Sequence, residues 1–291
     1  MSRELEFTFS NKDFKNISQI VTDYSGIVLP EHKRMLVYSR LAKRIRALGL
    51  DSFGTYIRSL EEETKRGETK ELLEVVNAMT TNVTKFFREE HHFHALAEHL
   101  PGLSEKFGEV RIWSCASSSG EEPWSIAMTV ADTMKTKKLV RARIHASDLD
   151  SNMVAKTRAG VYKLPPDEVE ANKLMKKYLK QDGELEKQAL HGVVGVYKVQ
   201  PDLKEMMSYS QINLIKPLPA GTKAHVVFCR NVIIYFDKQS KQTLFKNIAE
   251  IMPEGGIVMI GHSESLVGIT ACFDPLGKTM YQRNSKPAGA V

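Results

Sequence analysis

The stretch VRIWSCASSSGEEPWSIA, Val110–Ala127, decides the fold. VRIWSCA is apolar and reads as a strand, the small residues Ser117–Gly120 make a turn, and PWSIAMTVADTMK (123–135) reads as a helix. Pro123 suits a first helical position, which would leave Glu122 extended in a cap-like conformation. The same texture continues outward. ARIHASD (142–148), AHVVFC (224–229) and GIVMIG (256–261) read as strands. NMVAKTRA (152–159) and KQSKQTLFKNIAEIM (238–252) read as helices, the second ending before Pro253 and Gly255-Gly256. Continuous apolar strands alternating with helices indicate an α/β domain with a parallel sheet covered on both faces. Between Gln188 and Ile212, GVYKVQPDLKEMMSYSQI suggests two short strands, a small antiparallel β-subdomain inserted at about 185–212. The end, NSKPAGAV, reads as a loose tail.

Upstream of about Glu90 the signals are helical. Apolar residues recur at helical spacing in FKNISQIVTDY, MLVYSRLAKRIRALGL and KELLEVVNAM. The expected organisation is therefore a small all-α domain over 1–90, a linker helix over 91–108, and the α/β domain over 109–291. The chain has 291 residues, 42% hydrophobic and 26% charged, an ordinary globular composition. Its apolar runs are too short to span a bilayer, and MSRELEFTFSNKDF has no secretory apolar core, so membrane insertion is not expected and a cytoplasmic location is. Cys115, Cys229 and Cys272 are widely spaced and read as reduced thiols. A net charge of +6 suggests an acidic partner without choosing its class.

In an open α/β sheet the ligand lies beyond the carboxyl ends of the strands. The turn Ala116–Gly120 lies there, yet it lacks the G-x-G-x-x-G spacing that admits a pyrophosphate. Glu121 and Glu122 put negative charge at the helix mouth. They would repel phosphate and suit a ligand with hydroxyls and positive charge, such as S-adenosylmethionine. Alternatively, they only complement the helix dipole, worth about 0.3–1 kcal/mol each. Asp148 ends the second strand, where an acid can accept from ribose hydroxyls or merely cap a helix.

NAMTTNVTKFFRE (77–89), WSCASSSGEEPWSIA, ASDLD, INL, FCRNVIIYFD (228–237) and GHSESL (261–266) occur in this order. Together they resemble the CheR-type chemotaxis receptor glutamate O-methyltransferases, over nearly the whole chain. The resemblance implies a class I, Rossmann-like S-adenosylmethionine-dependent methyltransferase domain, preceded by the helical domain and carrying the β-insertion. It implies cofactor contacts at Asn82, Thr84, Arg88, Glu122, Asp148, Asn213, Leu214, Arg230 and Asn231, with Arg88 and Tyr235 at the reacting groups. It also implies methyl-accepting chemoreceptors as partners, glutamate γ-methyl esters as product, no nucleic acid and a monomeric chain. In receptors with a C-terminal pentapeptide tether, the family's β-subdomain docks the tether. The stretch HGVVGVYKV (191–199) is not clearly of the docking type.

Lys33, Arg40, Lys43 and Arg44 cluster within roughly a 100° helical arc, next to an apolar stripe of Val37, Leu41, Ile45 and Leu48. This cationic ridge suits a glutamate-bearing helical bundle, and the resemblance assigns the domain to receptor recognition. A solvated face is the alternative.

Other chemistries fit less of the chain. A dehydrogenase shares Asp148 but needs the missing phosphate fingerprint. The segment CRNVIIYF lacks the N/D-P-P-aromatic motif of amino-methylating DNA enzymes. GHSES misses the hydrolase elbow G-x-S-x-G because Ser265 replaces the last glycine, and His262 is read as a loop residue. Near His91, His92, His94 and His99 no acid or cysteine completes an evident ligand set, so no metal is expected.

Overall fold

The computed structural model describes residues 5–137, 140–183 and 194–291. The chain forms two compact units, one holding residues up to Thr81 with Tyr235–Ser240, the other Asn82–Ile234 with Lys241–Val291. The division falls at Thr81, earlier than the expected boundary near 90–108. The segment from Asn82 to Glu90 is bonded into the α/β unit, as shown below.

The first unit contains α1 (Asn11–Ser25), α2 (Arg34–Ala47), α3 (Phe53–Lys65) and α4 (Lys70–Met79). Ser10 and Asp13 form a reciprocal capping box at the start of α1. The helix α3 was not anticipated. Its core face, Phe53, Tyr56, Ile57 and Leu60 in FGTYIRSLEEETK, has the i, i+3, i+4, i+7 spacing of an amphipathic helix. These residues join Phe14, Ile17, Val21, Val37, Leu41, Ile45 and Val75 in one buried cluster. Burying each large aliphatic side chain contributes about 1.5–3 kcal/mol. Leu48, expected on the same stripe, caps α2 and stays 44% exposed because the helix has ended.

The second unit carries a seven-stranded sheet in the order β6-β2-β1-β7-β8-β10-β9. Its strands are β1 (Glu109–Ser114), β2 (Arg141–Asp148), β6 (Met207–Gln211), β7 (Val226–Cys229), β8 (Ile257–Ile260), β9 (Phe273–Gly277) and β10 (Met280–Arg283). Neighbours from β6 through β8 run parallel, while β10 pairs antiparallel with both β8 and β9. Every residue of β7 and β8 is buried, matching their unbroken apolar sequences. Major helices are α5 (His91–Phe107), α6 (Glu121–Thr136), α7 (Ser151–Ala159) and, later in the chain, Lys238–Ile251. Cys115, Cys229 and Cys272 are buried free thiols.

The inserted sheet differs from the expected one. Its order is β3-β5-β4, antiparallel, from β3 (Val161–Leu164), β4 (Leu179–Gln181) and β5 (Gly195–Val199). It thus begins well before 185, and Met207–Gln211 leaves it to pair with β2 as an edge of the main sheet. Of the stretch HGVVGVYKV, His191–Val193 lie outside the described residues. The tail is not loose: Ala271 N–H donates to Ala290 O at 2.8 Å, and Cys272 Sγ lies 3.1 Å from Pro287 O.

Candidate functional site

The chain passes from β1 outward to β2 on one side, and the later strand β7 returns to pair with β1 on the other. That reversal opens a crevice at the carboxyl ends of β1 and β7, where ligands of such sheets bind. Three amides of the turn after β1 are engaged. Ser117 N donates to Ser147 O at 2.8 Å, Ser118 N to Asp148 Oδ2 at 2.7 Å, and Gly120 N to Ser117 O at 3.0 Å. Those three amides are not open to a phosphate. Gly120 has φ of 105°, and a Cβ there would meet the Tyr162 hydroxyl at 2.5 Å and the Thr157 Cα at 2.9 Å. No side chain fits at that contact. Ser118 also takes a left-handed conformation, φ 49°.

The helix α6 starts at Glu121, so Pro123 lies inside its first turn and Glu122 is helical instead of extended. Proline is tolerated there because first-turn N–H groups have no intrahelical acceptor. Glu122 is half-buried, accepts from Ser114 Oγ at 2.7 Å, and faces Arg230 Nη1 at 3.0 Å. The charge reading of this helix mouth therefore changes. Arg230 offsets the charge of Glu122, while Glu121 accepts from Ser119 Oγ at 2.7 Å.

Asp148, 8% exposed, closes β2. Its oxygens accept from Ser118 N and from Asp150 N at 2.7 and 2.9 Å. Burial pushes its carboxyl up to about 6, against these backbone donors. Each oxygen keeps a second lone pair for a hydroxyl donor. Asp150 caps α7 through Asn152 N at 2.9 Å and meets Asn82 Nδ2 at 3.2 Å. Ser118 Oγ donates to Asn82 O at 3.1 Å. Asn82, Ser118, Asp148 and Asp150 thus form one connected edge. Ile212 N donates to Asp148 O at 3.0 Å, bringing the following Asn213 and Leu214 to the same strand end. Leu214 is buried, and Asn213 Oδ1 accepts from Ile215 N at 3.2 Å.

Arg230 lies under this edge with 1% of its side chain exposed, between Glu122 and Glu89, whose Oε2 is 3.4 Å from Nη2. It also donates to Arg88 O and stacks over the Phe93 ring at 5.6 Å. Burial raises the Glu89 carboxyl, but His262, Arg230 and Asn231 outweigh it and hold it at about 2. Burial raises Glu122, with Arg230 and Ser114 opposing. Arg88 Nη1 donates to Val83 O at 3.2 Å, and both Arg88 and Thr84 are half-buried. Phe87, Glu89, Ser118 and Asn231 all have positive φ, 49–57°. Such clustering of left-handed non-glycine residues, each costing about 1–3 kcal/mol, is typical of functional sites.

Glu89, His262 and Glu264 were not singled out as site residues, and His262 had been read as a loop residue. His262 Nδ1 is 3.1 Å from Glu89 Oε1. Among the described residues, Glu89, His91 and His92 bring ligand-type atoms within 4.8 Å. The Arg230 guanidinium beside the same carboxylate opposes a divalent ion there. A separate groove of about 670 Å³, lined by Phe93, Ala97, Asp132, Leu174 and Lys177 among others, contains none of the expected cofactor residues.

In the helical unit, the expected ridge is largely tied to the domain itself. Arg40 Nη1 donates to Ala78 O and Thr80 O at 2.8 and 2.9 Å, closing the end of α4. Arg44 grips Glu71 with two bonds, at 2.7 and 2.6 Å, and lies 3.8 Å from Glu74. Lys43 is exposed. Lys33 Nζ lies 5.3 Å above the ring of Tyr235, whose carbonyl accepts from Val28 N at 2.9 Å.

A wound α/β sheet with an acid closing its second strand has the architecture of a class I S-adenosylmethionine-dependent methyltransferase, an enzyme. The CheR methyltransferase SAM-binding domain matches residues 82–282, and the CheR methyltransferase all-alpha domain matches residues 12–80. The chain belongs to the CheR methyltransferase family. It is 37% identical to the chemotaxis protein methyltransferase of Salmonella typhimurium over 274 residues, 94% of this chain and 90% of the relative. The Escherichia coli chemotaxis protein methyltransferase is also 37% identical, over 94% of this chain and 91% of its own. A probable chemotaxis protein methyltransferase of Rhizobium etli is 38% identical, over 91% and 97%. No helix among the described residues is long and apolar enough to cross a membrane.

Proposed function

We propose that this methyltransferase acts in chemotaxis, esterifying glutamate side chains on the helical cytoplasmic region of chemoreceptors to give γ-methyl esters. The observation that carries this reading is the likeness to chemotaxis protein methyltransferases, which extends over both domains at 37% identity. When bound, S-adenosylmethionine supplies an electrophilic methyl group on a sulfonium. Asp148 would accept from its ribose hydroxyls, with Asn82, Asn213 and Leu214 along the same strand edge. Thr84, Arg88 and Asn231 would complete the pocket, with Glu122 and Arg230 forming its charged floor.

The acceptor needs little from the protein. A solvent-exposed glutamate has a pKa of about 4.3, so only about one in 500 is protonated at pH 7. No side chain has to remove a proton. The task left is orientation, which can be worth about 7–11 kcal/mol. Arg88 steers the incoming carboxylate without holding it tightly, since a close bidentate pair would blunt the nucleophile. Tyr235 fixes the donor end, and Lys43 with Lys33 supplies positive charge toward an acidic helical bundle.

The test is transfer of radiolabelled methyl from S-adenosylmethionine to purified receptor fragments. Label released as methanol by mild base marks an ester. Transfer that is base-stable, or directed to nucleic acid instead of receptor, would overturn the reading.

A further inference from the structure

The segment GHSESL was left without a role by the reaction. Its Glu264 is 7% exposed and carries a complete set of hydrogen bonds. Oε2 accepts from Asn231 N at 2.9 Å and Gly261 N at 2.6 Å, and Oε1 from Ile233 N at 3.0 Å and Ile234 N at 3.3 Å. An ionised carboxylate offers about four lone-pair positions, and all are taken by backbone donors. Glu264 therefore has no acceptor left for a substrate or a proton in flight.

We propose that Glu264 is a positioning residue for the cofactor site, a clamp from the end of β8 that holds the Arg230–Ile234 turn after β7 in its binding conformation. Asn231 is in the left-handed region at φ 56°, which a non-glycine residue keeps only when its surroundings enforce it. Glu264 holds the backbone on both sides of the turn, and the Asn231 side chain donates to Glu89 Oε1 at 3.4 Å. Gly261 brings the two loops together. A Cβ at that position would lie 2.5 Å from Asn231 Nδ2, 2.9 Å from Glu264 Oε2 and 3.0 Å from Asn231 N. The same turn begins with Arg230, which bridges Glu89 and Glu122. Loss of the clamp releases four amides and lets Asn231 relax to negative φ, moving its side chain from the pocket.

The inference rests on the assignment of Asn231 to the S-adenosylmethionine site. Glu264→Gln keeps the shape but replaces one acceptor oxygen with an NH₂ group, leaving two donors facing a donor. Binding of S-adenosylhomocysteine by calorimetry, well below the unfolding temperature of the variant, should weaken about ten-fold or more. Amide exchange at 231–234 should accelerate while that of 109–114 stays unchanged. At saturating cofactor, kcat should fall much less than the cofactor KM rises, a split that general loosening of the fold would not produce. A folded Glu264→Gln chain with wild-type affinity overturns the proposal. Should that variant not fold, the wild-type chain decides: S-adenosylhomocysteine must slow exchange at 231–234, and unchanged exchange overturns the proposal. If the wild-type chain does not bind S-adenosylhomocysteine, the cofactor assignment itself fails and the clamp's role with it.

Discussion

Arg230 Nη1 stands 3.0 Å from Glu122 Oε2, with 1% and 12% of the two side chains exposed. The guanidinium joins α6 to the end of β7 and, through Glu89, to the FFRE segment. Removing it strands two largely enclosed carboxylates, 11% and 12% exposed. Arg230→Met should destabilise the chain by about 3–5 kcal/mol in urea unfolding. Adding Glu122→Gln should recover a substantial part of that loss. A change below about 1 kcal/mol for Arg230→Met would show that water already compensates both acids.

Asp148 makes the site sensitive to acid. Its carboxyl lies above the ordinary aspartate value of 3.8, at about 6, because it is buried. The folded chain thus holds this proton more tightly than the unfolded chain does. Asp148 alone therefore lowers stability as pH rises from about 4 to about 6, with no further change above. Ribose hydroxyls need the ionised acceptor, so affinity for S-adenosylhomocysteine should weaken as pH falls through about 6. Asp148→Asn should bind about ten-fold more weakly at neutral pH and lose that pH step. Calorimetry on either side of the step checks both, and an unaltered profile in the variant rules the assignment out.

The basic face of α2 divides into structural and free cations. Arg44→Glu breaks a two-bond pair and sets like charges against Glu71 and Glu74, so it should cost about 1–3 kcal/mol of stability. Lys43→Glu should change stability by no more than about 0.5 kcal/mol. It should nevertheless raise the KM for receptor several-fold at low salt and leave cofactor affinity alone. Equal effects of Lys43→Glu on receptor and cofactor would remove the ridge from substrate recognition.

Arg88 has one hydrogen bond from its guanidinium, to Val83 O at 3.2 Å. Arg88→Ala should therefore cost no more than about 1.5 kcal/mol of stability. Its methyl transfer to receptor should drop about 100-fold, because misplacement of an oriented group costs on that scale. Full turnover in steady-state assays would take Arg88 out of the reaction.

Much of this was legible along the chain. Strand–turn–helix order in VRIWSCASSSGEEPWSIA, apolar runs such as VVFC and IVMI, and Asp148 at a strand end are local signals. They follow from side-chain period and backbone sterics, which act between neighbours in sequence. The ordered motifs likewise pointed to the family that the domain matches establish. What failed was either masked locally or not local at all. The β9–β10 hairpin turns on Lys278 and Thr279, both at positive φ, where Asn-Gly would have announced it. Met207–Gln211 was assigned to the insertion because its pairing with β2 crosses more than sixty residues of chain.

The sequence by itself determined the central strands and most of the helices, which of their faces are apolar and which acid ends the second strand. Only the tertiary structure decided where each charge is neutralised. Glu122 meets Arg230, Arg44 meets Glu71, and Glu264 meets the amides of a distant turn. A charge in sequence has a sign but no partner. Burial makes an unpartnered charge too costly to keep, so the fold must supply one from a remote element.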